Sequence, residues 1–336
     1  MANYLITGAA GFIGSHVGLQ LLGEGHVVTG IDNLNDYYDV QLKKDRLSRL
    51  QEHSQFSFEM IDISDRQPME TLFKEQQFDV VINLAAQPGV RYSLENPHAY
   101  INSNIVGFLN VLEGCRHSNV PHLVYASSSS VYGANTKLPF STEDRVDHPV
   151  SLYAATKKSN ELLAHSYSYT HGVPTSGLRF FTVYGPWGRP DMALFKFTDA
   201  IISGRPIEVY NHGKMKRDFT YIDDICEGIT RIAAKPPSGK QAWSPEDGKA
   251  SESSAPYRVY NIGNSETVEL MTFIETLEKH LNVVGKKKFM EMQTGDVTAT
   301  YADIEDFAEQ FNYRPKISVD EGVKRFVEWY RAYYSK

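Results

Sequence analysis

The feature that most constrains the fold is a glycine-rich turn between a short apolar segment and a helical pattern. Residues 3–7 predict a strand, and the helical pattern continues to Leu22. The turn between them contains Gly8, Gly11 and Gly14. Glycines at this spacing permit a tight turn, let the backbone approach a pyrophosphate and let the helix pack closely on a sheet. Since glycine-rich turns after strands are often only turns, the motif needs a second signal.

That second signal is an acid at the end of the next predicted strand. Residues 26–31 predict this strand, and Asp32 follows it, 18 residues beyond Gly14. In dinucleotide-binding sheets an acid in this place binds the ribose hydroxyls of adenosine. Because a carboxylate repels the 2′-phosphate of NADP, the pattern predicts NAD as the cofactor. The alternative for Asp32 is a helix cap or a turn residue.

Strand and helix signals alternate as far as about residue 180. Apolar segments at 56–61, 79–84, 122–126 and 175–180 predict further strands. Alternating units of this kind form a parallel sheet covered by helices on both faces, and ligands gather at the carboxyl ends of its strands. We therefore predict an α/β fold: a doubly wound, Rossmann-like parallel sheet with a smaller C-terminal α/β substrate-binding lobe.

Three residues at the later strand ends suggest proton transfer. Tyr153 and Lys157 are four residues apart and share one face of a helix, and Ser128 lies 25 residues before the tyrosine. A phenol with a pKa of about 10 is a poor base at neutral pH, and a neighbouring ammonium favours its ionised form. The alternative is a buried tyrosine on an amphipathic helix. The dinucleotide signals favour catalysis by Ser128, Tyr153 and Lys157.

Charge and cysteine content exclude several classes of protein. The 336 residues are 41% hydrophobic and carry a net charge of -7, so a nucleic-acid partner is not expected. The two cysteines, Cys115 and Cys226, fit neither a disulfide framework nor the spacing of metal ligands, so no metal is expected. The predicted strand at residue 3 leaves no room for a signal peptide, and no apolar run approaches about 18 residues. We expect a cytoplasmic protein without membrane contact.

The chain resembles the extended short-chain dehydrogenase/reductases that act on nucleotide sugars. The resemblance rests on residues 7–14, 62–63 and 84–86, on Ser128, Tyr153 and Lys157, and on residues 217–224. Within that family, residues 85–93 and 179–193 are similar to the UDP-glucuronate 4-epimerases. The resemblance implies an NAD-binding Rossmann domain at 1–181 that also receives roughly 222–262. It implies a UDP-sugar-binding lobe at 182–221 and 263–336, and a homodimer.

The resemblance also assigns the cofactor-binding residues. Those at the pyrophosphate would be Gly8, Gly11, Phe12, Ile13 and Gly14; those at the adenosine would be Asp32, Asn33, Asp62 and Ile63. The middle and the nicotinamide side would be lined by Leu84, Ala85, Ala86, Gln87 and Asn104, together with Tyr153 and Lys157. For the apolar members the alternative is ordinary packing of the sheet. Tyr153 would exchange the proton of the sugar's 4-hydroxyl, and Ser128 would hydrogen-bond the same oxygen.

The run of serines after the fifth strand bears on the reaction type. Dehydratases that resemble this chain carry Asp and Glu at the positions of Ser129 and Ser130, because they must remove a carbon-5 proton and expel a hydroxyl. Decarboxylating relatives carry Glu at the position of Ser130. Since this chain has serine at both positions, the resemblance implies redox at carbon 4 without elimination.

The substrate side is predicted to bind a carboxylate. Thr182 stands where many UDP-galactose 4-epimerases have Asn, Gln293 stands where they have Arg, and Arg189 has no clear counterpart in them. A guanidinium beside a hydroxyl suits a carboxylate, although a surface arginine in a loop is the alternative. The resemblance adds Arg217 as the diphosphate clamp, Tyr210 as the stacking partner of uracil, and Leu194 at the nucleotide lip. Ser129 completes the predicted substrate-binding set.

These observations together predict an NAD-dependent UDP-glucuronate 4-epimerase that interconverts UDP-glucuronate and UDP-galacturonate through a transient 4-keto sugar. Two alternatives stay open. One is a 4-epimerase of neutral UDP-hexoses or their N-acetyl forms, which Arg189 and Thr182 argue against. The other is a non-catalytic NAD-sensing protein on the same fold, which the intact Ser128, Tyr153 and Lys157 argue against.

Overall fold

The computed structural model describes residues 1–293 and 295–335. Its first half alternates strands with helices: β1 (Asn3–Thr7), α1 (Phe12–Gly23), β2 (Val27–Asp32), α2 (Val40–Gln51), β3 (Phe56–Met60), α3 (Arg66–Glu75), β4 (Val80–Asn83), α4 (Tyr92–Glu95), α5 (Pro97–Tyr100), α6 (Gly107–His117), β5 (Leu123–Ser128), α7 (Leu152–His171) and β6 (Thr175–Phe180). A π-helical segment, Ile101–Val106, joins α5 to α6, and a 3₁₀ turn, Ser129–Tyr132, follows β5.

The second half has shorter strands and longer connections. Its elements are β7 (Thr182–Tyr184), α8 (Ala193–Ile202), β8 (Ile207–Val209), β9 (Lys216–Arg217), β10 (Phe219–Tyr221), α9 (Ile222–Ala233), β11 (Tyr257–Ile262), β12 (Val268–Glu269), α10 (Leu270–Leu281), β13 (Lys287–Phe289), α11 (Glu305–Phe311) and α12 (Val319–Tyr334). A 3₁₀ turn, Tyr210–Gly213, follows β8. None of the helices described is both long and apolar enough to cross a membrane.

Seven strands form one parallel sheet in the order β11-β6-β5-β4-β1-β2-β3, which confirms the predicted doubly wound fold. The chain runs outward from β1 through β2 and β3, and then returns to place β4 on the other side of β1. The carboxyl ends of β1 and β4 therefore flank the point where the strand order reverses. In open α/β sheets this point forms the crevice in which ligands bind.

Side chains of the central strands alternate between two apolar layers. On β1, Tyr4 and Ile6 pack into the cluster that contains Val17 of α1, whereas Leu5 packs into the opposite cluster with Phe108 of α6. Successive side chains of a strand point to opposite faces, so both faces of the sheet are covered by helices. The carboxyl edge of the sheet is thus left for binding.

The smaller lobe packs against one side of this sheet. Phe219 of β10 stacks on Phe273 of α10, with the ring centroids 4.0 Å apart, and both belong to the apolar cluster that contains Ile6. The chain crosses back into the sheet after α9, since β11 pairs with β6. The exact division into 1–181 with 222–262, and 182–221 with 263–336, stays a prediction.

Candidate active site

The glycine turn lies directly against the end of β4. Gly8 has a φ of +73°, and a Cβ on it would lie 2.8 Å from the nitrogen of Ala85. A Cβ on Gly14 would lie 2.2 Å from the carbonyl oxygen of Gly8, so no larger residue fits. Helix α1 begins at Phe12, and no side chain caps it. Its first amides are therefore available to an anion such as a pyrophosphate.

Two acids follow the turn at the ends of β2 and β3. The carboxylate of Asp32 accepts hydrogen bonds from the amides of Ala10, at 3.2 Å, and Leu34, at 2.8 Å. Asp62 accepts a bond of 2.7 Å from the side-chain amide of Asn33. These contacts join the adenosine side of the predicted site to the glycine turn. This place suits an adenosine ribose, because the Asp32 carboxylate beside the turn can accept hydrogen bonds from the ribose hydroxyls.

One cavity, called here the main cavity, runs from the glycine turn to Tyr153. It collects most of the residues predicted to bind the cofactor or to act in catalysis: Gly8, Gly11, Phe12, Ile13, Gly14, Asp32, Asn33, Asp62, Ile63, Leu84, Ala85, Ala86, Ser128, Tyr153 and Lys157. Arg189, predicted to bind the substrate, lines it as well. A glycine turn, an open helix N-terminus and an acid in one cavity fit a dinucleotide such as NAD. The roles of the individual residues stay predictions.

Gln87 and Asn104 do not line the main cavity, although both were predicted to do so. They are buried and bond to each other, since the amide of Gln87 donates to Asn104 at 2.8 Å and Asn104 donates back to the Gln87 carbonyl at 3.1 Å. Asn104 also donates to the hydroxyl of Thr156 at 3.0 Å. The structure therefore places this pair behind the cavity wall, where it ties the loop after β4 to α7.

Ser128 and Tyr153 meet at the carboxyl edge of the sheet. Ser151 caps α7, because its hydroxyl accepts a bond of 3.1 Å from the amide of Ala154, and Tyr153 lies in the first turn of that helix. Ser128 ends β5, and its hydroxyl donates to the hydroxyl of Ser130 at 3.2 Å. It also lies close enough to Tyr153 to lower the pKa of that phenol. This arrangement suits proton exchange with an oxygen placed between the two hydroxyls.

The electrostatics of Tyr153 differ from the prediction. Burial raises the pKa of its phenol, and the hydrogen bond with Ser128 and the charge of Arg189 act in the opposite direction. Lys157 was expected to lower the pKa of Tyr153, but it is not among the groups that shift that pKa. Its ammonium donates instead to the carbonyl of Ala126 at 2.9 Å. Burial also lowers the pKa of Lys157 from 10.5 to about 8. The guanidinium of Arg189 is thus the cation that favours the phenolate in the described structure.

Arg189 is held by an acid that the sequence reasoning did not identify. Its Nε donates to Asp191 at 3.0 Å and its Nη2 donates to the other oxygen of the same carboxylate. Tyr37 donates to Asp191 at 3.3 Å. Burial disfavours the charged guanidinium, but Asp191 outweighs it and keeps the pKa of Arg189 above its usual range. The pairing uses one edge of the guanidinium and leaves Nη1 available to a second anion.

A neighbouring cavity, called here the side cavity, collects part of the predicted substrate site. It is lined by Ser129, Ser130, Thr182, Arg217 and Asp296, among others. Thr182 lies in β7 between Phe181 and Val183, which both line the main cavity. Thr182 and Arg189 thus line different cavities, and their joint contact with one carboxylate stays a prediction.

An arginine that was not predicted, Arg91, lies over the ring of Tyr210, the predicted stacking partner of uracil. Arg91 donates to Asp296 at 3.2 Å, and its guanidinium lies 4.9 Å from the ring centroid of Tyr210. Stacking of a uracil on that face of Tyr210 would require Arg91 to move. Leu194 is buried in the apolar core at the start of α8, and the side-chain oxygen of Gln293 is buried without a hydrogen-bond partner among the residues described.

A buried ion pair joins helix α7, which carries Tyr153 and Lys157, to strand β6. Glu161 of α7 accepts two bonds from Arg179 of β6, at 2.8 and 2.9 Å, and one of 2.7 Å from the hydroxyl of Ser127. Burial opposes ionisation of Glu161, yet Arg179 lowers its pKa to about 2. In the sequence, the one signal for this structural role of Glu161 is its position four residues after Lys157.

The chain matches a family described as the NAD dependent epimerase/dehydratase family, over residues 4–263. A probable UDP-glucuronate 4-epimerase of Rhizobium meliloti (strain 1021) is 51% identical over 337 residues, which cover 99% of this chain and 98% of the relative. UDP-glucuronate 4-epimerase 1 of Arabidopsis thaliana is 49% identical over 337 residues, with 99% and 77% covered.

A solved structure is also similar along the whole chain. The crystal structure of a UDP-glucuronic acid 4-epimerase from Bacillus cereus, in complex with UDP-glucuronic acid and NAD, is 33% identical and superposes with a TM-score of 0.87. The similarity covers 99% of this chain and 100% of that one.

The lowered pKa of Lys157 leads to a pH-dependence. Since burial brings that pKa to about 8, the ammonium should lose its proton as the pH rises through 8. Catalysis that needs the charged lysine should then fall along a basic limb centred near pH 8. Lys157→Arg keeps its proton to far higher pH, so any residual activity of this variant should lack the limb. A limb unchanged in Lys157→Arg, measured from pH 6 to 10, would assign it to another group.

Proposed function

Because this chain belongs to the NAD-dependent epimerase/dehydratase family, we propose that it is a UDP-glucuronate 4-epimerase, an isomerase that interconverts UDP-glucuronate and UDP-galacturonate. The observation that carries the proposal is the position of Arg189, a charged guanidinium in the same cavity as Ser128, Tyr153 and Lys157. A cation beside a proton-transfer site suits a sugar that bears a carboxylate next to its reacting carbon.

The cofactor is NAD, which accepts hydride from carbon 4 of the sugar and returns it to the opposite face. The glycine turn and the first amides of α1 would hold its pyrophosphate, and Asp32 would accept hydrogens from its adenosine ribose. Asp32 also disfavours the 2′-phosphate of NADP. The main cavity leads from this turn to Tyr153, so a cofactor bound along it would extend toward the catalytic hydroxyls.

Tyr153 is proposed to take the proton of the 4-hydroxyl and to return it after the sugar has turned. Ser128 and Tyr153 line the same cavity, so the two hydroxyls would share one substrate oxygen. Arg189 stabilises the phenolate by its charge. Lys157, fixed by the Ala126 carbonyl, would keep its remaining hydrogens for the cofactor ribose. Ser129 and Ser130 provide no carboxylate at the side cavity, so neither of them assists an elimination.

The carboxylate of the substrate creates a problem that the site must solve. Oxidation at carbon 4 gives a β-keto acid, which loses carbon dioxide when the bond to the carboxylate aligns with the carbonyl π system. Arg189 is itself oriented by Asp191 and can bind a second carboxylate through its free edge. We propose that this contact selects UDP-glucuronate and also holds its carboxylate near the carbonyl plane. Thr182 would add its hydroxyl from the side cavity.

The rest of the substrate is assigned to the smaller lobe. Arg217 lines the side cavity and would contact the diphosphate, while Tyr210 would stack on uracil after Arg91 moves aside. Leu194 and Gln293 would complete the nucleotide site. We propose that the enzyme is cytoplasmic, because both of its cysteines are free, buried thiols; cell fractionation would test this location.

The substrate assignment is tested by product analysis. Purified protein, offered UDP-glucuronate, UDP-glucose and UDP-N-acetylglucosamine in separate reactions, should convert mainly UDP-glucuronate, without added NAD. Tyr153→Phe should keep its NAD and lose turnover by about 10²–10⁴, which is the usual worth of general acid–base catalysis. Conversion of a neutral sugar in preference to UDP-glucuronate would contradict the proposal, as would stoichiometric release of NADH.

Arg189→Ala tests how the carboxylate is recognised. Loss of a charge-assisted pair costs about 1.5–3 kcal/mol, so activity on UDP-glucuronate should fall at least about tenfold. Any activity on UDP-glucose should fall less, because a neutral sugar loses only the effect of Arg189 on the Tyr153 phenolate and no carboxylate contact. If Arg189 also holds the carboxylate in plane, mass spectrometry should detect a UDP-4-keto-pentose formed by loss of carbon dioxide.

A matched control for this variant is Arg205→Ala. Arg205 also pairs with an aspartate, Asp199, but lies exposed on the smaller lobe and lines neither the main cavity nor the side cavity. It should leave the preference for UDP-glucuronate unchanged. An unaltered preference in Arg189→Ala would refute recognition, whereas a selective loss without decarboxylation would refute only the in-plane restraint.

We further propose a homodimer formed through α6 and α7. These adjacent helices expose apolar side chains to solvent, with Leu109 39%, Leu162 61% and Tyr169 68% exposed. A second copy of the chain would cover this face by pairing the same two helices. Light scattering should give twice the mass of one chain, and Leu162→Arg should give a single chain. Val284→Arg, at an 81% exposed position in the smaller lobe, is the control that should stay dimeric.

A further inference from the structure

Arg46 of α2 is the largest side chain that is fully buried among the residues described. It lies outside every set of residues that the sequence analysis singled out. A guanidinium withdrawn from water keeps its position only when its donors are matched by acceptors. The acceptors of Arg46 therefore indicate what its side chain holds in place.

All of those acceptors belong to loops around the main cavity. Its Nε and Nη2 donate to the carbonyl of Trp187 at 3.0 and 2.7 Å, and Nη2 also donates to the carbonyl of Gly188 at 3.0 Å. Its Nη1 donates to the hydroxyl of Tyr38 at 2.8 Å and to the carbonyl of Ala10 at 3.3 Å. One side chain thus joins the glycine turn, the loop after β2 and the segment that precedes Arg189.

The segment before Arg189 is a strained turn. The amide of Gly188 donates to the carbonyl of Gly185 at 3.1 Å, which closes a four-residue turn with Pro186 in its second position. The third residue, Trp187, has a φ of +60°. Turns of this type usually have glycine there, because a side chain is disfavoured at positive φ. The surrounding contacts must therefore maintain this conformation.

Two sets of contacts act on Trp187. Arg46 binds its carbonyl with two donors. The indole packs against Trp329 and Tyr333 of α12, at 5.4 and 5.0 Å between ring centroids, and under the guanidinium of Arg49 at 4.8 Å. The aromatic contacts place the side chain, whereas the bonds from Arg46 act on the peptide that leads to Gly188 and Arg189.

We propose that Arg46 is a positioning residue, which holds the turn at 185–188 and thereby aligns Arg189 with the cofactor-binding turn. The inference rests on the proposed role of Arg189 in binding the carboxylate of UDP-glucuronate. Arg46 touches neither the sugar nor the reacting atoms; it acts through the backbone. Its bond to Ala10 gives the carboxylate site and the pyrophosphate site a common support.

The variant Arg46→Lys tests this role. Lysine keeps the charge, but its point-like ammonium cannot match the separate carbonyl and hydroxyl acceptors of a guanidinium. We expect the affinity for UDP-glucuronate, measured by calorimetry on the NAD-loaded protein, to fall about tenfold, while the affinity for UDP-glucose stays within about twofold. Arg49→Lys is the matched control, since it lies one turn further along α2 and contacts the ring of Trp187 rather than its carbonyl; it should keep the wild-type preference.

The outcomes separate a positioning role from a merely structural one. Equal losses of affinity for both nucleotide sugars, or a preference unchanged in Arg46→Lys, would overturn the inference. If Arg46→Lys fails to fold, Tyr38→Phe removes one acceptor without a change of shape and should show a smaller loss in the same direction; an unchanged preference there would count against the role. Wild-type protein that does not bind UDP-glucuronate in preference to UDP-glucose would refute the proposed function instead.

A spectroscopic readout tests the inference independently of substrate. The chain has three tryptophans, so ¹⁹F NMR of 5-fluorotryptophan protein should give three signals, assigned by Trp→Phe variants. In Arg46→Lys the signal of Trp187 should shift or broaden, while that of Trp243, in a distant loop, should not change. A Trp187 signal identical to that of the wild type would show that Arg46 does not hold the turn, whatever the enzyme's substrate is.

Discussion

The buried ion pair between Glu161 and Arg179 is the interaction on which the geometry of the site depends. It joins α7, which carries Tyr153 and Lys157, to β6, and the hydroxyl of Ser127 joins the same carboxylate to β5. Because Arg179 keeps the pKa of Glu161 at about 2, the carboxylate is ionised throughout the physiological range. A buried pair of this kind adds little net stability, but loss of one partner costs about 3–5 kcal/mol. The hydroxyls of Ser128 and Tyr153 are therefore aligned by a buried ion pair behind them.

The sheet and the centre of the site could be predicted from local patterns. Short-range periodicity and spacing indicate strand β1, the glycine turn and Asp32, and the register of a parallel sheet then brings their ends together. Ser128 and Tyr153 could be predicted in the same way, since the first ends a recognisable strand and the second opens a recognisable helix. Features that are local in the sequence can therefore be inferred from the sequence alone.

The remaining features depend on contacts between distant residues. Arg46 binds a carbonyl 141 positions away. Its spacing from Leu42 and Leu50 places it on the buried face of α2, but nothing in the sequence identifies that distant partner. Thr182 lines a different cavity from its neighbours Phe181 and Val183, and this alternation can be assigned only when strand β7 is known. Gln87 and Asn104 were assigned to the cofactor by the family resemblance, whereas the side-chain amide of Asn104 bonds the backbone of Gln87. Lys157 was expected beneath the phenol, but its partner is the Ala126 carbonyl.

The pairing of cations inside the cleft affects how an anionic ligand reaches it. Arg189 is neutralised by Asp191, and Arg91 by Asp296, so neither presents a bare charge to the solvent. The chain as a whole carries a net charge of -7. This net charge opposes the approach of a nucleotide sugar that carries a diphosphate and a carboxylate, whereas the cations that line the cavities attract it at close range. Encounter is slowed by this repulsion, and added salt, which screens it over about 10 Å, should quicken association rather than impede it.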